Sequence, residues 1–154
     1  MCSSDLGPDR LSEYVRRFGF GRRTSPRDFP SENPGIVWDA SRLTDSALAS
    51  VSMGYQISVT PLQMVAAASS VANGGQLLRP RVVRAVIRDG VRTPVPREVV
   101  GTTITKQTAA ELVAIMEQVV ERGTARAAQI DGFTIAGKTG TAAQLVNGRY
   151  STSL

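Results

Sequence analysis

The sequence reads as a mixed α/β chain of the α+β type, and three patterns carry that reading. Thr60-Pro61-Leu62-Gln63 spells the capped start of a helix. Asp89-Gly90 between two alternating runs spells a tight hairpin. Leu112, Ile115, Met116, Val119 and Val120 recur at helical spacing.

Taken in chain order, Leu11, Tyr14, Val15 and Phe18 fall at i, i+3, i+4 and i+7. They predict one face of a short helix with Asp9 as N-cap and Gly19 as stop. From Gly19 to about Leu43 the chain carries Pro26, Pro30 and Pro34, which forbid a long helix and predict a loop. Loops of that length in compact domains are usually functional or packed over a site. In the next unit Thr60 is the expected N-cap, Pro61 takes N1 and Gln63 takes N3. Met64, Val65, Ala68, Val71 and Ala72 continue the helix to Asn73-Gly74-Gly75, and its alanines predict close packing.

Arg81 to Arg88 alternates, with Val83, Ala85 and Ile87 on one face and Arg84 and Arg88 on the other. Val91-Arg92-Thr93 returns as the second strand, and Pro94 and Pro96 stop it or place it at an edge. Thr105 opens a longer helix that Gly123 ends, followed by a short helical turn over 124–128. Residues 133–143 are expected to form a strand whose glycines mark a close backbone approach. Asn147-Gly148 then turns the chain into one more strand beginning at Arg149.

Composition narrows the chemistry. The 154 residues are 42% hydrophobic and 20% charged, which excludes an intrinsically disordered chain. There is no histidine, so Ser-His-Asp catalysis, Cys-His catalysis and His-ligated zinc are excluded within the chain. The single cysteine, Cys2, cannot form an internal disulfide or a multi-cysteine metal site. No apolar run approaches the roughly 20 residues that a spanning helix needs. The net charge of +5 comes mostly from arginine; Lys106 and Lys138 are the only lysines. The arginines are scattered and lack interleaved aromatics, so a solvated basic surface is expected and no nucleic-acid partner. Residues 1–6, Met1-Cys2-Ser3-Ser4-Asp5-Leu6, lack a signal-peptide pattern and read as a non-native N-terminal remnant.

The chemistry concentrates in Gly137-Lys138-Thr139-Gly140-Thr141-Ala142. A cation, a hydroxyl and a glycine on one extended segment make a ledge that receives an anion. Lys-Thr-Gly is also one of three elements of penicillin-binding proteins and class A β-lactamases, beside Ser-x-x-Lys and Ser-Asp-Asn. Its context is ordered along the chain. Phe18-Gly19-Phe20-Gly21, Glu32, Gly35, Gly54-Tyr55-Gln56-Ile57-Ser58-Val59-Thr60-Pro61-Leu62-Gln63, Ala72-Asn73-Gly74-Gly75 and Gly123-Thr124-Ala125 precede it.

This set resembles the transpeptidase domain of class B penicillin-binding proteins from about Leu11 to Leu154, most closely the division-type peptidoglycan D,D-transpeptidase. The resemblance implies an antiparallel sheet with helices packed on its faces, of which residues 7–154 are a part truncated at both ends. It implies a serine acyl-enzyme formed with the D-alanyl-D-alanine end of a stem peptide or with a β-lactam, without metal or organic cofactor. It places the parent enzyme at the extracytoplasmic face of the bacterial cytoplasmic membrane, with division-complex membrane proteins as partners and an anchor outside this chain.

Carried onto this sequence, the resemblance gives Lys138 the role of a fixed cation at the site. Thr139 would hydrogen-bond the substrate carboxylate, and Gly140 would keep the wall free of a side chain. The backbone N–H of Thr141 would form half of the oxyanion hole. Ser-x-x-Lys is absent, because Thr103 and Ile135 stand three residues before the two lysines. Ser31-Glu32-Asn33 has the spelling of the second motif but lies in the proline-rich loop. The chain alone is therefore expected to be inactive. Two alternatives stand beside this reading. One is a fragment of a related D,D-carboxypeptidase or β-lactamase, and the other is a non-enzymatic basic binding module or scaffold. Glu32 reads more simply as a loop brace than as an acid or base. Glu111, Glu117 and Glu121 read as the solvent face of their helix.

Overall fold

The computed structural model describes residues 3–140, 144–146 and 149–151. Ser3–Leu6 form a 3-10 turn that runs directly into helix α1 (Gly7–Arg17). The start therefore differs from the expected one. Leu6, already helical, holds the N-cap position without a side-chain cap, and Pro8 and Asp9 lie in the first turn. A preceding 3-10 turn supplies helical backbone, so no new cap is required, and the Asp9 charge still favours the helix N-terminus. The C-terminus is as expected: Phe18 N–H bonds the Tyr14 carbonyl at 3.0 Å and Gly19 turns the chain away at φ +90°.

A helix that the apolar pattern does not announce follows the long loop. Helix α2 (Asp45–Ser52) is capped by Thr44, whose hydroxyl accepts from Ala47 N–H at 3.4 Å. It buries Ala47 and Leu48 against Leu11 and Leu43, with Val15, Trp38 and Val51 packed around them. The loop between α1 and α2 is held by side chains. The Glu32 carboxylate accepts from Thr24 N–H at 2.7 Å, from Ser25 N–H at 3.0 Å and from the Thr24 hydroxyl. Glu32 is thus a loop brace, as expected. Ile36 and Ser58 bridge the loop to the segment before the next helix, and Gly35 has no room for a side chain, since a Cβ would stand 2.3 Å from the Ser58 carbonyl oxygen.

Helix α3 (Pro61–Ala72) has the predicted capping box. Thr60 Oγ1 accepts from Gln63 N–H at 3.1 Å, and Gln63 Oε1 accepts from Thr60 N–H at 2.8 Å. Burial falls on Gln63, Ala66, Ala67 and Ser70, while Met64 and Val65 face outward. Gln63 does more than cap. Its Nε2 donates to the Arg22 and Pro34 carbonyls, each at 2.9 Å, and the residue is 1% exposed. One amide therefore ties two points of the proline-rich loop to α3. Gln63→Ala would remove the partner of two part-buried carbonyls and one part-buried N–H, each such bond being worth about 1 kcal/mol. Chemical denaturation should show a loss of roughly 3 kcal/mol by the same reasoning. Gln63→Glu should not restore it, because a carboxylate cannot donate to two carbonyls.

Four short strands follow: β1 (Gln76–Leu78), β2 (Ala85–Arg88), β3 (Val91–Pro94) and β4 (Val99–Thr102). β1 pairs antiparallel with β4 through Gln76↔Thr102, Leu77↔Gly101 and Leu78↔Val99. β2 and β3 form the predicted hairpin, with Asp89 at φ 50° and Gly90 at φ 75° as a turn in the left-handed region. It starts at Ala85 rather than Arg81. Arg81 instead donates its guanidinium to the Val95 carbonyl, outside the ladder. At the open end of the β1–β4 pair, Arg79 and Glu98 meet through the backbone at 2.9 Å and through their side chains at 2.8 Å. The Arg79 guanidinium holds the Glu98 carboxyl below its usual range.

Helix α4 (Lys106–Glu121) starts on Thr105, whose hydroxyl accepts from Thr108 N–H at 3.1 Å. It packs beside α3 and buries Ala109 and Val120, leaving Ile115 exposed. Strands β5 (Gln144–Val146) and β6 (Arg149–Ser151) form a last antiparallel pair. The expected turn at Asn147-Gly148 lies outside the described residues. All pairings are antiparallel, as predicted. Among the described residues they form three two-stranded ladders rather than one continuous sheet.

Candidate active site

The site is built on the C-terminal end of α4. Gly123 and Ala125 both direct their N–H groups to the Val119 carbonyl at 3.1 Å, wrapping the chain tightly round the helix end. A Cβ on Gly123 would stand 2.9 Å from that same oxygen. Ala125 is buried, and a 3-10 turn over Arg126–Ala128 follows as predicted. Gln129 then caps the helix from outside, donating Nε2 to the Val120 and Glu121 carbonyls at 3.0 and 3.2 Å. This satisfies carbonyls that the helix itself leaves open.

Residues 133–140 return along α4. They are not the strand expected over residues 133–143. Among the described residues this stretch has no ladder partner, and Gly137 N–H bonds the Met116 carbonyl at 3.2 Å instead. Gly137 is also the close approach anticipated from its lack of a side chain, as a Cβ there would already touch Val120 at 3.6 Å.

Directly past that anchor, Lys138, Thr139 and Gly140 are all exposed. Lys138 Nζ donates to the Thr139 carbonyl at 2.7 Å and lies 3.3 Å from Thr139 Oγ1. Thr139 Oγ1 lies 3.0 Å from the hydroxyl of Thr124 on the helix-end turn. Around Gly140 a Cβ would meet nothing within 4 Å. An open groove of about 450 Å³ runs beside these groups, with Val120, Ala125, Ala128 and Ile135 as its apolar wall. The structure thus brings the cation, the hydroxyl and the bare glycine to one exposed edge. Such a set can seat an anionic group at the hydroxyl and ammonium and lay an apolar body along the wall. The backbone N–H of Thr141, expected to contribute to an oxyanion hole, lies outside the described residues. Thr124 was not singled out for chemistry in the sequence reading. Its signal was its place in Gly123-Thr124-Ala125, the tight turn that closes the helix end.

The sequence matches the penicillin binding protein transpeptidase domain family over residues 1–153. The chain belongs to that family. The transpeptidase-domain chain is 34% identical to stage V sporulation protein D of Bacillus subtilis, over 94% of this chain and 23% of that protein. It is 35% identical to penicillin-binding protein PbpB of Mycobacterium tuberculosis, over 94% of this chain and 22% of that protein. Among solved structures it superposes on penicillin binding protein 3 of Mycobacterium tuberculosis with a TM-score of 0.84 at 35% identity, over 95% of this chain and 34% of the other. That protein has also been solved with aztreonam and with ampicillin. The chain therefore spans about a quarter of the length of the curated relatives it matches.

Membership divides the motif stretches by task. Phe18-Gly19-Phe20-Gly21 turns the chain off α1, Thr60 to Gln63 caps α3, and Gly75 ties the end of α3 to Thr103, just past β4. Each is scaffold. Among the stretches that carried the resemblance, Lys138-Thr139-Gly140 is the one that offers a cation and a hydroxyl to an open groove. Of the helix carboxylates, Glu111 and Glu121 are exposed and hydrogen-bonded to Gln107 and Gln118, a solvent face as expected, whereas Glu117 is half-buried beside the groove between α3 and α4.

Proposed function

We propose that this chain forms the Lys-Thr-Gly wall of a serine peptidoglycan D,D-transpeptidase, with the nucleophile supplied from outside these 154 residues. The carrying observation is the joint exposure of Lys138 and Thr139 beside the open backbone of Gly140. A stem peptide ending in D-alanyl-D-alanine would lay its carboxylate on the Thr139 hydroxyl and extend its backbone along 138–140 as an added strand. Lys138 would hold positive potential at the serine end of the cleft. β-Lactams share the carboxylate and the acylating carbonyl, so they would take the same place. The pattern of Ser58-Val59-Thr60-Pro61-Leu62-Gln63 favours a division role, which carries with it membrane proteins of the division complex and action outside the cytoplasmic membrane. Among the described residues no helix is long and apolar enough to cross a membrane.

The test is covalent labelling by a fluorescent penicillin, read after denaturation. A protein of full transpeptidase-domain length containing this chain should retain label. The 154-residue chain, which holds no Ser-x-x-Lys, should retain none. In the longer protein Thr139→Val should slow labelling about tenfold at low penicillin, the size of one hydrogen bond to a charged group. Label on the short chain, or unchanged labelling of the valine variant, would contradict the assignment.

A further inference from the structure

We propose that Thr124 is a positioning residue for the motif: its hydroxyl donates to Thr139 and so keeps the Thr139 proton free for an anionic ligand. The proposal rests on the reading of Thr139 as the carboxylate donor and adds the group that orients it. The two hydroxyl oxygens are 3.0 Å apart across fifteen residues of sequence. A threonine hydroxyl has one proton and two lone pairs. The Lys138 ammonium, 3.3 Å from Thr139 Oγ1, can only donate and so takes one lone pair. If Thr139 gave its proton to Thr124, it would face a carboxylate with no donor. If Thr124 gives its proton to Thr139, the second lone pair is filled and the Thr139 proton turns to the groove. Among the described residues Thr139 is the hydrogen-bond partner of the Thr124 side chain, and none of them competes for the Thr124 proton. A donor chain of this kind also polarises each successive bond, which strengthens the outward one.

The backbone explains why Thr124 can serve. Gly123 lets the chain close on the Val119 carbonyl, and the buried Ala125 fixes the far side of the turn. Thr124 is left between them, with its side chain on the groove. The opposite hydroxyl is fixed by Gly137, two residues before Thr139 and bonded to Met116 of the same helix. Both threonines are therefore hung from one rigid element, α4.

The experiment uses the 154-residue chain itself. Three-bond couplings from the Thr139 methyl carbon to its backbone N and C′ report the χ1 rotamer, and they are measured in wild type, Thr124→Val and Thr124→Ser. Valine keeps the shape and removes the hydroxyl; serine keeps the hydroxyl. The expected result is one staggered well in wild type and in the serine variant. In the valine variant the preference for that well should fall about fivefold, the weight of one neutral hydrogen bond. Backbone shifts of the β1–β4 pair should stay in place, which separates lost positioning from lost fold. A Thr139 rotamer already averaged in wild type, or one left fixed by Thr124→Val, would overturn the proposal. No ligand takes part, so this failure is distinct from failure of penicillin labelling.

Discussion

Gly75→Ala is expected to destabilise the chain by about 4 kcal/mol, the range reached when strain at a special backbone angle combines with overpacking. Gly75 sits at φ +87°, and a Cβ there would stand 1.9 Å from the Ile104 carbonyl oxygen. Its own groups are all in use. Its N–H bonds the Ser70 carbonyl at 2.8 Å, and its carbonyl accepts from Thr103 N–H at 2.8 Å and from the Thr103 hydroxyl at 3.1 Å. Ser70 and Thr103 are fully buried, with hydroxyls 3.1 Å apart. An alanine must therefore either leave the left-handed region or push away the backbone that leads into α4, and either move breaks this buried set. Gly101 is the internal control. It has ordinary backbone and nothing within 4 Å of a Cβ, so Gly101→Ala should stay within about 0.5 kcal/mol of neutral. Denaturant midpoints of the two variants measure the contrast directly. The effect reaches the site because α4, whose far end carries Thr124 and the Met116 anchor, is oriented at this junction.

Lys138→Ala carries the largest expected loss of activity. In a protein of full transpeptidase-domain length containing this chain, the rate of penicillin acylation should fall about a hundredfold to a thousandfold. That is the range found when one preorganised charge-stabilising group is removed from a site that excludes water. Stability should hardly move. Lys138 is exposed, it bonds only Thr139 among the described residues, and exposed polar contacts of this kind change stability by about 0.5 kcal/mol or less. Lys138→Arg should recover only part of the rate, because a planar guanidinium cannot place its charge where a compact ammonium sits. Stopped-flow acylation with each variant, beside its melting curve, separates a chemical role from a folding one.

How far the sequence foretold this depends on how local each signal is. The start of α3 was legible because a capping box is written within four residues. The hairpin was legible because Asp89-Gly90 fits a turn that needs two positive φ values. The motif residues were legible as a group because their types, and not their surroundings, carry the chemistry. What failed was whatever depends on a distant neighbour. Residues 133–140 read as part of a strand, yet a strand also needs a partner edge, and this stretch bonds the Met116 carbonyl of α4 instead. Helix α2 shows weak periodicity and forms because Ala47 and Leu48 close the cluster around Leu11; Thr44 before Asp45 was its one local signal. The second task of Gln63 joins carbonyls 41 and 29 residues away, and no window along the chain displays it. Thr124 was visible as a motif letter, and its hydroxyl gained meaning only from the 3.0 Å approach of Thr139.

A crystal structure of a domain-length protein containing this chain, acylated by a penicillin, tests the placement of Thr139 against the substrate carboxylate. The drug's carboxylate is expected within about 3 Å of Thr139 Oγ1, a charge-assisted hydrogen bond, with its body along the groove that Gly137, Lys138 and Thr139 line. A carboxylate bound elsewhere, with Thr139 facing solvent, would contradict it.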